Sequence, residues 1–493
     1  MKRIGILDIG SNSMRLSIIA QMDNGGYYVI DEQKATPRLA NYVNDHILAP
    51  EGIQKLIDHL REFRGICQAF DVNEVIAVGT AALRKAKNRD QIIDLVASTT
   101  GFMIDVITGS DEALFGVSAV KHTMDLQDAY LIDIGGASTE ITLIKNGTII
   151  ASHSFGVGAV TAHAVLHANP QAIDQLFLAK DFLFDSPQIE LIGIGGTIRN
   201  IARIHQAHTH YPLSITHNYT MDHGQVREIV HWLSLLPIQR LRKTEGLSKD
   251  RVDLIVPGGQ ILLSAMTATK TSQLRISGRG LRDGAFYTRV LGEPDGPRFG
   301  TTVLESSVIN TLRRFSTSEN HATHVTKLAS LLYQAAISSQ ILPIGYERVL
   351  YASAMLHRIG IQVSYYSYDL HTFYLIFSSS INGLSHKEIV MTAAISSYKS
   401  RRRMMQLCQP YQSLFQDGDF LIASQLGTLV RLAESLDRRH EKRIHTFDVT
   451  FTGQDFIITL PKTCDAEVEI AAAMAYSPYV KKTFAKNLII KKA

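Results

Sequence analysis

The sequence predicts an α/β protein whose first 300 residues contain one supersecondary unit used twice. Residues 4–16 read IGILDIGSNSMRL, and residues 129–144 read AYLIDIGGASTEITLI. In each stretch an apolar run ends at Asp-Ile-Gly, a turn of small polar residues follows, and a second apolar run begins. This pattern predicts a buried strand that ends in a tight turn and continues into the returning strand of a hairpin.

Both turns are suited to hold an anion. Glycine lets successive backbone N–H groups point toward one place, and such nests of N–H groups bind phosphate. Short side chains that would add donors are Ser11, Asn12, Ser13, Ser138 and Thr139. Asp8 and Asp133, which head the turns, are better suited to ligate Mg²⁺ or a metal-bound water. One such hairpin is often an ordinary β-turn, but two with the same polar residues predict a phosphate clamp.

Further strand–glycine–helix steps follow along the first half. Apolar spacing predicts a helix over residues 50–70, and short apolar runs predict the strands 74–78, 103–107, 189–194, 253–256 and 274–277. The turns at Gly79 and Gly195 precede predicted helices, whose N-termini favour anions. Arg84, one turn inside its helix, would add a charged fork. Asp111 and Glu112 lie in a first helical turn, where carboxylates commonly complement the helix dipole.

Composition predicts a soluble cytoplasmic protein of two to four domains. The 493 residues contain no apolar run of the roughly 20 needed to span a bilayer, so we expect no membrane partner. The N-terminus lacks the apolar region and cleavage site of a signal peptide. The three cysteines, Cys67, Cys408 and Cys464, have neither metal-site nor disulfide-framework spacing.

Positive charge is concentrated in the second half. Residues 301–493 carry 21 Lys and Arg against 15 Asp and Glu. One cluster contains Lys399, Arg401, Arg402 and Arg403. Such a run is often a solvated helix face, but its concentration in one half favours a polyanionic partner. Without zinc spacing or an RNP-like aromatic motif, we expect no nucleic-acid partner.

The motifs together resemble the exopolyphosphatase/guanosine pentaphosphate phosphohydrolase family, which belongs to the actin, hexokinase and heat-shock-chaperone ATPase superfamily. The resemblance runs through ILDIGSNSMRL, AVGTAALRKA, ITGSDEALFGV, LIDIGGASTE, IGIGGTIRNIA, DLIVPGGQIL and SGRGLRDGA. It implies ribonuclease-H-like domains at 1–125 and 126–300, a helical degenerate HD-like domain at 301–443, and a small α+β domain at 444–493. It also implies a homodimer.

The resemblance assigns roles to individual residues. Glu112 would be the catalytic carboxylate that activates water, Asp8 and Asp133 would hold Mg²⁺, and Glu140 would support them. The residues that would bind phosphate are Ser11, Asn12, Ser13, Arg84, Gly135, Gly136, Ala137, Ser138, Gly195, Gly196 and Thr197. Ala137 replaces a glycine of the family, which is tolerable if its φ is negative. The segment RLANYV at 38–43 also lacks a family glycine, which leaves the entry loop undetermined.

The second half resembles a His-Asp metal phosphohydrolase domain that has lost its metal site. Arg358 follows His357 where such a domain has aspartate, and an arginine cannot coordinate a cation. We therefore expect the histidines to be structural: His321, His324, His357 and His371. In long family members the domain resembles a channel wall for polyanionic chains, a role for which the Lys399–Arg403 cluster is suited.

These observations predict a Mg²⁺-dependent exopolyphosphatase that hydrolyses terminal phosphates of inorganic polyphosphate. Guanosine pentaphosphate 5′-phosphohydrolase is the nearest alternative, because both substrates end in the same phosphoanhydride. A kinase or chaperone-type ATPase would need an adenine pocket, part of which the turn at Gly195 could supply. A non-enzymatic sensor of polyphosphate or guanosine tetraphosphate is the alternative from another class.

Overall fold

A computed structural model of the chain describes residues 1–162, 164–165, 169, 171–183, 189–292, 296, 299–315 and 318–493. The chain divides into two compact units, residues 1–298 (unit 1) and 299–493 (unit 2). The division into four domains inferred from the sequence stays a prediction.

Unit 1 contains two principal sheets and a short two-stranded ribbon. The first sheet and the ribbon are formed by β1 (Lys2–Ile9), β2 (Met14–Gln21), β3 (Tyr27–Ala35), β4 (Val43–Asn44), β5 (Ile47–Leu48), β6 (Glu74–Gly79) and β7 (Ile104–Val106). The second sheet is formed by β8 (Ala129–Ile134), β9 (Thr139–Lys145), β10 (Thr148–Phe155), β11 (Glu190–Ile194), β12 (Tyr219–Asp222) and β13 (Gln273–Ile276).

The two sheets have the same topology. Their strand orders are β3-β2-β1-β6-β7 and β10-β9-β8-β11-β13-β12. In each, three strands form an antiparallel meander and the following strands add in parallel beside the first strand of the meander. Only the edge strand β12 has no counterpart among the described residues. This is the ribonuclease-H-like order, so the predicted duplicated fold is confirmed.

Helices cover the sheets of unit 1. They are α1 (Pro50–Ala69), α2 (Ala81–Arg84), α3 (Arg89–Thr100), α4 (Gly109–Lys121), α5 (Ala172–Leu178), α6 (Gly195–His208), α7 (His223–Ser234), α8 (Ile238–Leu241), α9 (Ile255–Ala268) and α10 (Leu281–Ala285). The first of them follows the predicted pattern: Pro50 lies in its first turn, and its apolar stripe, including Leu56, Leu60 and Phe63, is buried.

One predicted strand is wrong. Asp253 and Leu254 lie in a turn, and the apolar residues that follow belong to α9. A four-residue apolar run does not distinguish a buried strand from a buried helix, and Pro257 is tolerated in the first helical turn. Gly258 and Gly259 are therefore helical; a Cβ at Gly259 would lie 2.7 Å from Val230, so these glycines allow close packing.

Unit 2 is mainly helical. Its helices are α11 (Val303–Arg314), α12 (Glu319–Ser338), α13 (Glu347–Leu356), α14 (Tyr368–Ser378), α15 (His386–Ser396), α16 (Arg401–Cys408), α17 (Asp419–Ser435), α18 (Glu467–Met474) and α19 (Ser477–Phe484). Its last part forms a small sheet, in which β14 (Asp448–Phe451) and β15 (Asp455–Leu460) make a hairpin around Gly453. The strand β16 (Asn487–Lys492) pairs in parallel with β15. Within the described part of the chain, no helix combines the length and apolar character that crossing a bilayer requires.

Candidate active site

The two Asp-Ile-Gly turns have matching backbone geometry. The N–H of Gly10 donates to Ser13 O at 3.1 Å, and the N–H of Gly135 donates to Ser138 O at 2.9 Å. A Cβ on either glycine would lie 3.0 Å from the carbonyl oxygen that its N–H contacts. Each turn thus needs a residue without a side chain at its first position, which the sequence supplies in both copies.

The two turns face each other. A Cβ added to Gly136 would lie 3.4 Å from Asn12 Cβ and 3.5 Å from Ser11 Cβ. Each turn is held by a backbone segment behind it: the N–H of Arg38 donates to Asn12 O at 3.1 Å, and the N–H of Ala159 donates to Gly135 O at 2.9 Å. The predicted pair of phosphate turns is therefore one continuous surface.

A cavity of about 130 Å³ lies between the turns. Most of the predicted site residues line it: Asp8, Ser11, Asn12, Ser13, Glu112, Asp133, Gly135, Gly136, Ala137, Ser138, Gly195 and Gly196. Ala137 is not among the described residues with a positive φ. The methyl group that replaces the family glycine therefore causes no backbone strain.

The two acidic residues in the first turn of α4, Asp111 and Glu112, have different contacts. Thr108 accepts a hydrogen bond from the N–H of Asp111, whose carboxylate accepts in return from the N–H of Thr108. Asp111 thus completes a capping box. Glu112, the next residue, lines the cavity and accepts a hydrogen bond from Arg84 Nη1 at 2.9 Å. Of these two carboxylates, only that of Asp111 serves the start of the helix, as acidic residues in a first helical turn commonly do.

Burial raises the pKa of Glu112 to about 8, with further contributions from Glu140 and Asp133, while the contact with Arg84 acts in the opposite direction. Burial also raises the pKa of Asp133 to about 7, with Glu140 and Asp8 adding to the increase. For Asp8 burial again raises the pKa, opposed by Arg282 and Arg15. The cavity therefore holds carboxyl groups that ionise at a substantial free-energy cost unless positive charge enters.

The acidic residues fit a magnesium ion. Among the described residues, no group of three or more His, Cys, Asp or Glu side chains converges as a complete cation site. Asp8 and Asp133 both line the cavity, and Asp8 is close enough to contribute to the raised pKa of Asp133. Mg²⁺ is commonly bound by one or two carboxylates together with water and substrate phosphate, so two aspartates are a sufficient protein contribution.

The start of α6 adds a positive end to the same cavity. Gly195 has φ of +86°, and any side chain there would collide with Oδ1 of Asp133. The N-terminus of α6 thus begins beside the Asp133 carboxylate, and Gly195 and Gly196 line the same cavity. A helix N-terminus stabilises negative charge there.

Four arginines that we had not predicted as site residues also line the cavity: Arg15, Arg199, Arg251 and Arg282. Burial, together with repulsion from Arg15 and Arg282, lowers the pKa of Arg199 to about 10. An anion in the cavity would relieve this repulsion. Arg15, Arg199 and Arg282 lie within three of the sequence motifs, but Arg251 stands in an unremarkable polar segment and only folding brings it here.

Asn12 offers a more specific sign of a ligand. Its side-chain amide is buried, and its Nδ2 has no hydrogen-bond partner among the described residues. A buried amide donor without a partner costs about 1–3 kcal/mol. An oxygen of a bound phosphate would supply the missing acceptor.

Two predicted phosphate contacts differ in the structure. Arg84 lies outside the cavity lining and contacts Glu112 and Ile107 O instead. Thr197 is almost completely buried, and its Oγ1 accepts a hydrogen bond from Arg251 Nη1 at 3.0 Å. Both residues act on neighbouring side chains, because a sequence motif gives position along the chain but not side-chain direction.

The basic cluster of unit 2 only partly lines a surface. Lys399, Arg402 and Arg403 border a cavity of about 360 Å³ that Arg401 does not line. Arg403 Nε lies 2.9 Å from Asp369 Oδ2, so part of its charge is already balanced. The channel function of this cluster stays a prediction.

Three of the four predicted structural histidines are buried in unit 2. His321 Nδ1 lies 2.7 Å from Asp437 Oδ2, and His357 Nδ1 lies 2.6 Å from Ala354 O. Arg358 contacts Glu434 at 3.0 Å, so it forms an ion pair where an active metal domain would have a ligand. Burial lowers the pKa of His357 to about 4, which keeps its imidazole neutral.

Comparison with known proteins agrees with this geometry. The sequence profile of the Ppx/GppA phosphatase family matches residues 18–293, and that of Ppx/GppA phosphatase domain III matches residues 303–471. A guanosine-5′-triphosphate,3′-diphosphate pyrophosphatase of Pseudoalteromonas translucida is 26% identical over 90% of this chain and 89% of its own. Exopolyphosphatase 1 of Mycobacterium tuberculosis is 26% identical over 63% of this chain and 93% of its own.

Solved structures agree for unit 1. The Aquifex aeolicus Ppx/GppA family member is 26% identical, covers 59% of this chain and 98% of its own, and has a TM-score of 0.51. An exopolyphosphatase from Cytophaga hutchinsonii, 22% identical, covers 60% of this chain and all of its own with a TM-score of 0.53, which supports the fold. This chain is a phosphoanhydride hydrolase and belongs to the Ppx/GppA phosphatase family.

Proposed function

We propose that the chain is a Mg²⁺-dependent exopolyphosphatase that removes terminal phosphates from inorganic polyphosphate. The observation that carries this proposal is the position of Glu112 on a cavity bounded by both phosphate turns. At about 130 Å³ this cavity is much smaller than the roughly 300–1,000 Å³ of ordinary small-molecule sites. It suits the end of a phosphate chain, with the rest of the substrate outside.

Glu112 acts as the general base in this proposal. A water oxygen attacks the terminal phosphorus while the Glu112 carboxylate takes a proton from that water. The bond between the terminal phosphorus and the bridging oxygen breaks, which releases orthophosphate and leaves a chain one unit shorter that keeps the bridging oxygen. A raised pKa brings the basicity of Glu112 closer to that of an efficient base near neutral pH.

Asp8 and Asp133 would hold Mg²⁺, whose charge offsets that of the phosphate oxygens. The arginines of the cavity and the Asn12 amide bind and orient the terminal phosphate. Phosphoryl transfer depends mainly on such positioning and charge stabilisation, so no covalent nucleophile is needed. Arg84 positions Glu112 through the contact at 2.9 Å.

Guanosine pentaphosphate is the second candidate substrate. The Pseudoalteromonas relative named as a pyrophosphatase of this nucleotide matches 90% of the chain, whereas the mycobacterial exopolyphosphatase matches 63%. The terminal phosphoanhydride is the same in both substrates, so the small cavity accepts either. The family resemblance underlies our proposal of a homodimer, whereas our proposal of a cytoplasmic location rests on the composition of the sequence.

The test compares phosphate release from long-chain polyphosphate and from guanosine pentaphosphate, with Mg²⁺, at equal concentrations of terminal phosphate. Faster release from the polymer is expected; faster release from the nucleotide would keep the site and replace the substrate. Release from neither would favour the sensor. Glu112→Gln should reduce release from the preferred substrate by about 10²–10⁴-fold.

The proposed channel function of the basic cluster of unit 2 is tested by comparing polyphosphate substrates of different chain length. Replacing both Lys399 and Arg402 with glutamine should slow hydrolysis of long chains and leave hydrolysis of tripolyphosphate unchanged, because a short substrate does not extend beyond the first cavity. Arg401→Gln is the matched control, since Arg401 does not line the cavity of unit 2. Equal effects on both chain lengths would contradict the proposed channel.

A further inference from the structure

A second cavity of unit 1, about 510 Å³, lies at the C-terminal end of α6. Its lining includes Ile204 and His208 of this helix, Trp232 of α7, and Arg240 and Lys243. Gly195 and His208, at opposite ends of the helix, are separated by about 20 Å at the usual rise of about 1.5 Å per residue. The cavity is therefore distinct from the one that Glu112 lines.

One wall of the cavity is aromatic. Trp232, the only tryptophan of the chain, packs partly against the core of unit 1. The centroids of the His208 and Trp232 rings are 5.2 Å apart, with an angle of 45° between the ring planes. An indole held in this way offers a flat surface on which a planar base can stack.

Another part of the lining is basic. Arg240 and Lys243 are exposed, and neither forms an ion pair with an acidic side chain in the described part of the chain. Glu245 also lines the cavity, and its carboxylate opposes a bare phosphate chain but accepts hydrogen bonds from ring N–H or amino groups. The mixture favours a ligand that carries both an aromatic base and phosphate.

The segment that carries these charges is held in place. Gly246 has φ of +83°, and a Cβ there would lie 2.6 Å from backbone atoms of Arg203. The chain thus crosses directly over α6 after Lys243. Because the backbone next to this wall is fixed at Gly246, binding need not order that part of the chain.

We propose that this cavity binds a purine nucleotide, with the base stacked on Trp232 and the phosphates at Arg240 and Lys243. Its volume of about 510 Å³ falls within the roughly 300–1,000 Å³ range of small-molecule sites. This site goes beyond the proposed function and does not depend on it, since none of its residues lines the cavity of Glu112.

The sole tryptophan provides a direct measurement. The full-length protein is titrated with GDP and, separately, ADP while Trp232 emission is followed with correction for nucleotide absorbance. Saturable quenching is expected from at least one nucleotide, and it should persist with excess tripolyphosphate, which fills the first cavity. Unchanged emission at millimolar concentrations of both nucleotides, or complete loss of quenching with tripolyphosphate, would overturn the proposal.

Variants test the two walls separately. Replacing Arg240 and Lys243 together with glutamine should weaken nucleotide binding about tenfold or more. Arg242→Gln, an exposed neighbour outside the lining, should leave binding unchanged. Trp232→Ala, measured by calorimetry, should also bind about tenfold more weakly, because stacking on the indole is lost. Two results would refute the nucleotide assignment. One is that the protein binds guanosine as tightly as GDP, and the other is that Arg242→Gln weakens GDP binding as much as the double replacement of Arg240 and Lys243.

Discussion

Replacing Glu112 with glutamine should make unit 1 more stable at neutral pH while it removes the proposed general base. The pKa of this carboxyl is raised from 4.5 to about 8 in the folded protein. Between these values Glu112 binds more protons in the folded state than in the unfolded state. Its contribution to the free energy of unfolding is therefore fully present below pH 4.5 and is lost as pH rises toward 8. Glutamine keeps the size of the side chain and has no charge to bury.

The magnitude follows from the shift. Each pH unit within this window changes the free energy of unfolding by about 1.4 kcal/mol. Between pH 5 and pH 7 the wild-type protein should therefore lose up to about 3 kcal/mol relative to Glu112→Gln. For a unit of this size that corresponds to a difference of about 5 °C in melting temperature.

The assay is thermal unfolding of both proteins at pH 5, 6, 7 and 8 in the presence of a chelator. The two melting temperatures should be similar at pH 5 and separate progressively as pH rises. Mg²⁺ should stabilise the wild type more than the variant, because a cation compensates the buried carboxylates. Glu51→Gln is the control, since it removes an exposed carboxylate from the first turn of α1. Parallel curves for wild type and Glu112→Gln between pH 5 and pH 8 would refute the reasoning.

Three further substitutions test the neighbouring contacts. Arg84→Gln removes a cation that lowers the pKa of Glu112, so this pKa should rise by about one unit. The acidic limb of the plot of activity against pH should move to higher pH by the same amount. An unchanged acidic limb would count against the contact between Arg84 and Glu112. Gly158→Ala places a Cβ 2.6 Å from the backbone nitrogen of Ala137, so it should lower the free energy of unfolding of unit 1 by about 1–3 kcal/mol in a denaturation assay. Gly156→Ala is the control and should leave this free energy unchanged, because the space around Gly156 is open. Asp133→Asn should raise the Mg²⁺ concentration needed for half-maximal activity about tenfold or more, and an unchanged Mg²⁺ requirement would exclude Asp133 as a ligand.

The duplicated hairpins were predictable because their signal is local. A short apolar run, a glycine at the one position where a Cβ would meet a carbonyl oxygen, and a second apolar run all lie within about fifteen residues. Glu112 was predictable only through the resemblance to a family. Periodicity alone does not separate it from Asp111, which caps the same helix.

What could not be predicted depends on contacts distant in sequence. Arg251 reaches the cavity only because the turn before α9 packs near the start of α6, where its Nη1 contacts Thr197. The same contact holds the Thr197 side chain away from the cavity. A pattern read along the chain contains no information on which of two neighbouring side chains faces a cavity and which faces the core.

The duplication also explains how one structural unit supplies two different chemistries. In the first hairpin Asp8 pairs across the strands with Arg15; in the second, Asp133 pairs with Glu140 at the equivalent position. Directly paired residues lie on the same face of a sheet, so one aspartate has a cation beside it and the other has an acid. Arg15 opposes the effect of burial on the pKa of Asp8, whereas Glu140 adds to that of burial on Asp133 and Glu112. A single difference between the copies therefore places a cation beside the first aspartate and a second carboxylate beside the other, so that ionisation is opposed more strongly at Asp133 and Glu112 than burial alone would produce.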